Sequence, residues 1–348
     1  MNKLGPATSP VKFFRGGGKG MDHKPISSRP TRQKAASRRA FCCGTAAFFC
    51  CLPGLRVAAA QLRDAPLALV EVAPGIHVSQ GAYEEVSPDN LGAIANIGCI
   101  VGTQSVAVID SGGCLLWGER LRQAIGRVTD RPISHLIQTH MHPDHVFGAA
   151  AFLDDHPVIL GHRNLPAALA SRADYYTRRL SEILGQLAAG SRIVPPTQLV
   201  ESRLDIDLGE RRLTVTAHKT AHTDNDLSVF DEKTRILWAG DLIFLDRVPV
   251  LDGSILGWLE TMAALRALPA QQVVPGHGPR LAAWPDAAAD QQRYLTALRD
   301  QIRGTLHAGG TMEEAVAMVG QEERDRWRLF DDYNARNVTA AYAELEWE

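Results

Sequence analysis

Apolar residues in this chain come in short runs cut by turn residues, a rhythm that predicts many short strands with a few helices between them. Runs near 70–73, 76–80, 93–101 and 105–110 predict four strands, and Leu121, Ile125 and Val128 place an apolar stripe on a helix around 117–128. Residues 133–138 predict another buried strand. More strands follow near 157–160, 212–216, 227–230, 235–239 and 272–275, with a helix at about 257–268 before the last. Strands in two groups with helices outside them define an α/β class. Alternation alone leaves their order within a sheet open.

Two helical stretches stand outside this pattern. Residues 164–189 carry Leu165, Leu169, Tyr176, Leu180 and Leu184 at helical intervals, and residues 191–196 break the run. The apolar stripe suits packing on the body of the domain. Tyr175, Tyr176, Arg178 and Arg179 on this insertion, near 164–196, are candidate substrate contacts. Further on, Leu295, Leu298, Ile302 and Leu306 form another stripe, Gly309-Gly310 stops it, and Thr311-Met-Glu-Glu314 reads as a capping box. A last helix near 323–346 presents Trp327, Phe330, Val338, Tyr342 and Leu345. These C-terminal helices, residues 286–348, are expected to pack on a main domain of residues 61–285, a homodimer contact being the alternative.

Charge changes the picture at the N-terminus. Of 37 basic and 39 acidic residues, eleven basic ones and a single acid, Asp22, fall in residues 1–60, which leaves the remainder at −12. Ser37-Arg-Arg-Ala-Phe41 resembles a twin-arginine export signal and leads into an apolar run ending at Leu52, too short to span a membrane. Ala58-Ala-Ala60 offers a small-residue cleavage site, and Met21 serves equally well as a start. Residues 1–60 are therefore expected to be a Tat-type signal peptide cleaved near Ala60, leaving a periplasmic protein without stable membrane insertion. About 288 residues remain, enough for one large domain with a full core. They hold no internal repeat, no low-complexity stretch and no basic patch of the nucleic-acid-binding type. Cys42, Cys43, Cys50 and Cys51 would leave with the signal, while Cys99 and Cys114 are expected to be structural thiols.

Candidate chemistry concentrates in Thr139-His-Met-His-Pro-Asp-His145, just beyond the predicted strand at 133–138. Residues two apart on extended backbone point the same way, so His140 and His142 can grip one ion together. Pro143 then turns the chain and lets Asp144 and His145 face a second. His222, Asp241 and His277 fit the same plan, the last two at the ends of apolar runs and His277 between two glycines. Imidazole and carboxylate suit zinc, iron and manganese alike. Thr139, Thr223 and Asp226 are candidate acceptors for the outer imidazole N–H groups. His135, His156, His162, His218 and His307 lack ligand spacing and read as structural or solvated, with His162 a further candidate for a pocket wall.

Taken in order, His140-x-His142-x-Asp144-His145, His222, Gly240-Asp241 and Gly276-His277-Gly278 resemble the metallo-β-lactamase superfamily. Val108-Ile-Asp-Ser-Gly-Gly113 is similar to its first conserved turn, and the likeness runs from about residue 70 to 280. The resemblance implies an αββα sandwich with a C-terminal helical extension. It also implies two Zn²⁺ per chain: His140, His142 and His222 on one, Asp144, His145 and His277 on the other, and Asp241 bridging. A bridging aspartate is typical of thioesterase-, lactonase- and phosphodiesterase-like members rather than of antibiotic-degrading ones. Two dications a few ångströms apart acidify a shared water, giving a hydroxide nucleophile near neutral pH for an ester, thioester, lactone or similar small molecule. Asp241 would fix the metal separation and Asp144 pass a proton to the leaving group, which makes these two the catalytic candidates.

Val248-Pro-Val-Leu-Asp-Gly-Ser-Ile-Leu-Gly-Trp258 and Asn337-Val-Thr-Ala-Ala-Tyr-Ala-Glu-Leu-Glu346 further resemble exported zinc hydrolases associated with periplasmic quinoprotein and sulfur-oxidation systems. Two other readings keep the fold. One is a persulfide dioxygenase-like oxidoreductase with a single iron on His140, His222 and Asp241. The other is a non-catalytic, metal-bearing partner of a quinoprotein system.

Overall fold

The computed structural model describes residues 66–348. The export signal expected in residues 1–60, with its cleavage site and four cysteines, lies outside the described residues. Alternation along the strands decides the layering. In β4 (Val106–Ile109) all four side chains are buried, but they face two different cores. Val106 and Val108 share one with Leu121 and Ile125 of α1 (Leu115–Val128) and with Phe152. Ala107 and Ile109 share the other with Val215, Val229 and Trp238 of the opposite sheet.

The first sheet runs in sequence order: β1 (Val70–Ala73), β2 (Ile76–Ser79), β3 (Ile97–Val101), β4, β5 (Ile133–Ile137), β6 (Val158–His162) and β7 (Gln198–Val200). It is antiparallel as far as β4 and parallel from β4 to β7. The second sheet is ordered β13 (Ala282–Ala283), β12 (Gln272–His277), β11 (Ile236–Phe244), β10 (Leu227–Asp231), β9 (Arg212–Ala217) and β8 (Arg203–Asp207). Only β11 and β12 pair in parallel. On its outer face Leu237 and Ala239 share a core with Trp258 of α4 (Ile255–Arg266), Leu298 of α5 (Ala289–His307) and Val338 of α7 (Phe330–Leu345). The result is the helix–sheet–sheet–helix sandwich that the family resemblance implies. The C-terminal helices cover the outer face of the second sheet.

Differences from the sequence reading have local causes. β7 and β8 were not anticipated, because several of their side chains are exposed and their apolar runs are short. Residues 93–96 form no strand; Asn96 instead donates from its backbone to Gly276 O at 2.7 Å and from its side chain to Pro275 O at 2.9 Å. β11 continues to Phe244, so Asp241 lies within a strand rather than beyond one. The ladder to β12 slips at Gly240, whose φ of +53° puts it in the left-handed region. After the single-turn α2 (Pro143–Val146), the helix expected at 164–189 is α3 (Leu165–Leu184) with a 3-10 turn after it. Thr311 and Glu314 form the capping box of α6 (Met312–Met318).

Cys99 and Cys114 are both free and buried, as the sequence suggests. Burial pushes their thiols up to about 12 and about 11, which leaves no thiolate near neutral pH. No helix among the described residues is long and apolar enough to cross a membrane.

Candidate metal centre

Three imidazole nitrogens converge in front of the sheets. His140 Nε2 and His222 Nε2 each stand 3.0 Å from His142 Nδ1. Asp241 Oδ2 joins them, 3.7 Å from His140 Nε2 and 3.5 Å from His222 Nε2. The same carboxylate reaches a second group, with Oδ1 3.1 Å from His145 Nε2 and Oδ2 3.2 Å from His277 Nε2. Asp144 Oδ2 completes that group at 3.6 Å from His145 Nε2 and 3.4 Å from His277 Nε2. The seven residues singled out in the sequence thus form two donor clusters, one of His140, His142, His222 and Asp241, the other of Asp144, His145 and His277.

The outer nitrogens settle which atoms face inward. His145 Nδ1 donates to Asp110 Oδ2 at 2.8 Å, His222 Nδ1 to Val250 O at 2.6 Å, and His277 Nδ1 to Ile94 O at 2.8 Å. His142 Nε2 donates to Asp252 Oδ2 at 3.1 Å. His140 Nδ1 faces Thr139 Oγ1 at 3.1 Å, a hydroxyl whose own proton goes to Asp110 Oδ2. These partners orient each ring, so five inner ring nitrogens point into one small space, and in the first cluster the lone pairs of His140, His142 and His222 face one another. Lone pairs facing each other at such separations repel unless a cation lies between them. His145 Nε2 and Asp241 Oδ1 are buried with no hydrogen-bond partner among the described residues, which an ion would also remedy.

Electrostatics agree with that fit. Burial pushes His222 down to about 3 and also lowers His140, keeping both in the neutral form that ligates. Burial opposes charge on His145 too, but the carboxylates of Asp241, Asp110 and Asp144 outweigh it and raise its pKa well above the ordinary value. The second cluster therefore favours positive charge. A set of imidazoles and carboxylates fits divalent zinc, iron or manganese.

Close packing leaves the Asp241 carboxylate little freedom. A Cβ on Gly276 would stand 2.0 Å from Asp241 Oδ1. A Gly276→Ala protein should lose stability by about 1–3 kcal/mol and retain less metal than wild type after dialysis. Elemental analysis checks this, and wild-type metal content would show that the carboxylate can shift without loss.

Acceptors were only partly visible in the sequence. Thr139 acts at the centre as expected, but Thr223 and Asp226 bond to each other, the Thr223 hydroxyl donating to Asp226 Oδ1 at 2.6 Å. The partner of His222 is instead a backbone carbonyl, which carries no residue-type signal. Asp110 and Asp252 were missed as partners of His145 and His142, although both lie in stretches that carry the family resemblance.

Helix α7 holds the loop that supplies Val250 and Asp252. Asn337 accepts from Leu251 N at 2.9 Å and donates to Pro249 O at 2.6 Å. Glu344 accepts from Ser254 Oγ and from Ile255 N, at 2.6 and 2.7 Å.

A cavity of about 270 Å³ opens above the clusters, with His142, Asp144, Asp241 and His277 in its lining. Tyr175, Tyr176 and Arg179 of α3 also line it. Arg178 does not; its side chain is 66% exposed and lies beside Glu182. Glu85, Arg247, Tyr333 and Arg336 line it as well, and nothing in the sequence pattern marked them. His162 is no wall residue: its ring is held by Asn164 N at 3.0 Å and His218 O at 3.1 Å.

His218 bonds Ser228 Oγ at 2.8 Å, and burial pushes its pKa down to about 4, with His162 adding to the effect. Unfolded, the ring would titrate near 6.5, so between 4 and 6.5 the unfolded chain binds the extra proton. Stability should therefore fall as pH drops through that window, by no more than about 3 kcal/mol from this residue. Melting curves of His218→Gln should show a shallower decline there; a slope matching wild type would remove His218 as a contributor.

The metallo-beta-lactamase superfamily model matches residues 92–277, and the chain belongs to that superfamily. A linear primary-alkylsulfatase from Pseudomonas sp. is 22% identical over 214 residues, covering 51% of this chain and 40% of that protein. Among solved structures, a stereoselective inverting sec-alkylsulfatase from Pseudomonas sp. aligns with a TM-score of 0.62 at 17% identity, over 80% of this chain and 50% of that one. A metallo-beta-lactamase from Hirschia baltica aligns with a TM-score of 0.52 at 19% identity, over 66% and 98%. The chain spans about half or less of the alkylsulfatases it matches, and the structural likenesses show the shared fold. These relatives are hydrolases.

Proposed function

We propose that this protein is a periplasmic metal-dependent hydrolase that binds two zinc ions and cleaves an ester, thioester, lactone or similar small molecule. The similarity to alkylsulfatases adds sulfate esters to that range. The observation that carries the reading is the Asp241 carboxylate, which lies within 4 Å of ring nitrogens from both clusters on the wall of an open cavity. Two dications held there would supply Lewis acidity and acidify a water near neutral pH. Asp241 fixes the separation of the clusters, and the outer hydrogen bonds keep each imidazole in its ligating tautomer. Asp144, 12% exposed and lining the cavity, would carry a proton to the leaving group.

The single-iron reading uses His140, His222 and Asp241 and leaves His142, His145 and His277 without a task. A purely binding role leaves the cavity unexplained. A link to periplasmic quinoprotein systems rests on the two family-like segments, which Asn337 joins.

The decisive experiment is elemental analysis of protein purified from the periplasm without added metal. Close to two zinc per chain, with turnover on an ester, thioester, lactone and sulfate-ester panel, supports the hydrolase. About one iron per chain with little zinc overturns it in favour of oxidative sulfur chemistry.

A further inference from the structure

Four arginines line the cavity, and their partners sort them. Arg172 pairs with Asp252 at 3.1 Å and Arg179 with Glu182 at 3.4 Å. Arg247 is different, because its side chain is only 3% exposed and incompletely satisfied. Its Nη2 donates to the Tyr333 hydroxyl at 3.1 Å and to the half-exposed Glu85 at 3.3 Å. Its Nη1 lies 3.3 Å from His277 Nδ1, but the proton on that nitrogen already goes to Ile94 O, so the guanidinium meets no lone pair there. Its Nε has no hydrogen-bond partner among the described residues. A buried cation with two of three nitrogens lacking acceptors is costly, and folded chains rarely keep such a group without use for it.

Arg336 extends the same feature outward. It is exposed on α7, 5.7 Å from the centre of the Tyr333 ring, and Arg247 stands 5.2 Å from that ring. Two guanidiniums therefore share one aromatic ring, one buried beside a residue of the second cluster and one at the cavity mouth. Glu85 offsets part of this charge, but among the described residues Arg336 has no acidic partner.

We propose that Arg247, with Arg336 outside it, seats an oxyanion group of the substrate: a carboxylate, sulfate or phosphate. The inference rests on the hydrolase reading and narrows it to anionic small molecules. An anion at Arg247 lies one imidazole ring away from the second cluster. Anchor and scissile bond thus belong to one compact molecule, and the bound anion orients the bond that breaks. Arginine suits this task because its planar fork matches an oxyanion with two parallel hydrogen bonds.

The test uses the metal-loaded protein and two esters of similar length, p-nitrophenyl butyrate and mono-p-nitrophenyl succinate. Wild type should favour the anionic ester in kcat/KM on the order of tenfold or more. That preference should collapse toward unity in Arg247→Met and shrink in Arg336→Gln, an exposed change that keeps the test open if the buried substitution prevents folding. Independently of turnover, succinate and sulfate at constant ionic strength should raise the wild-type melting temperature, and the shift should fall in both variants. The larger of the two shifts distinguishes a carboxylate from a tetrahedral oxyanion. Equal use of both esters by wild type, or an anion-induced shift that survives both substitutions, overturns the subsite. Turnover of neither ester, with the arginine-dependent shift intact, would count against the hydrolase and leave the subsite standing.

Discussion

An Asp241→Asn protein should keep the fold and lose most of its turnover, with kcat/KM down on the order of 100-fold or more. The substitution preserves shape, so the packing beside Gly276 is retained. What it removes is the negative charge shared between two clusters, where the carboxylate sits 3.1 Å from His145 and 3.2 Å from His277. A neutral amide can donate to one ring nitrogen but then turns a hydrogen toward the space an ion needs. Metal content should fall below the wild-type value. The melting temperatures of the two metal-free proteins should stay within a few degrees of each other, since the loss is of ligation and not of core. Wild-type-like turnover would refute the bridging role.

The largest effect on stability should come from a residue far from this chemistry. Arg211 is 3% exposed and pairs with the fully buried Asp231, Nε to Oδ1 at 3.0 Å and Nη2 to Oδ2 at 2.8 Å. Its Nη1 donates to Pro74 O at 2.8 Å and Val101 O at 3.0 Å, so one side chain from the turn between β8 and β9 caps carbonyls on the first sheet's side. Arg211→Met strands the Asp231 carboxylate and two carbonyls in a dry site, at a cost of about 3–5 kcal/mol. Urea titration should show a lowered midpoint with an unchanged slope. The double variant Arg211→Met/Asp231→Leu should recover much of the loss, because an apolar pair leaves no charge behind. A single-variant loss below about 1 kcal/mol would mean that water reaches the pair.

These two sites differ in how far they could be read from the chain. The residues of the candidate metal centre share donor chemistry, four of them within six positions, and the others follow apolar runs or flank one. Strands such as β4 were legible because both faces are buried and the run is almost purely apolar. Arg211 was invisible, since an arginine among charged neighbours on a turn reads as solvated and its carbonyl partners have no residue type. Asp252 and Arg247 were obscured for a related reason. Each acts through contacts across long sequence separations, and neither sits at a spacing that periodicity can register. β7 and β8 failed as predictions because exposed strands lack the apolar run that marks the others.

The attachment of α7 to the 249–254 loop also bears on biosynthesis. A nascent chain that has emerged past His277 already contains all seven donor residues. It still lacks Asn337 and Glu344, the side chains that hold Val250 and Asp252 against His222 and His142. Until α7 docks, the segment that carries the acceptors of these two imidazoles lacks those anchors. Tight metal binding should therefore require α7 to be docked, because only then are the acceptors of both imidazoles anchored.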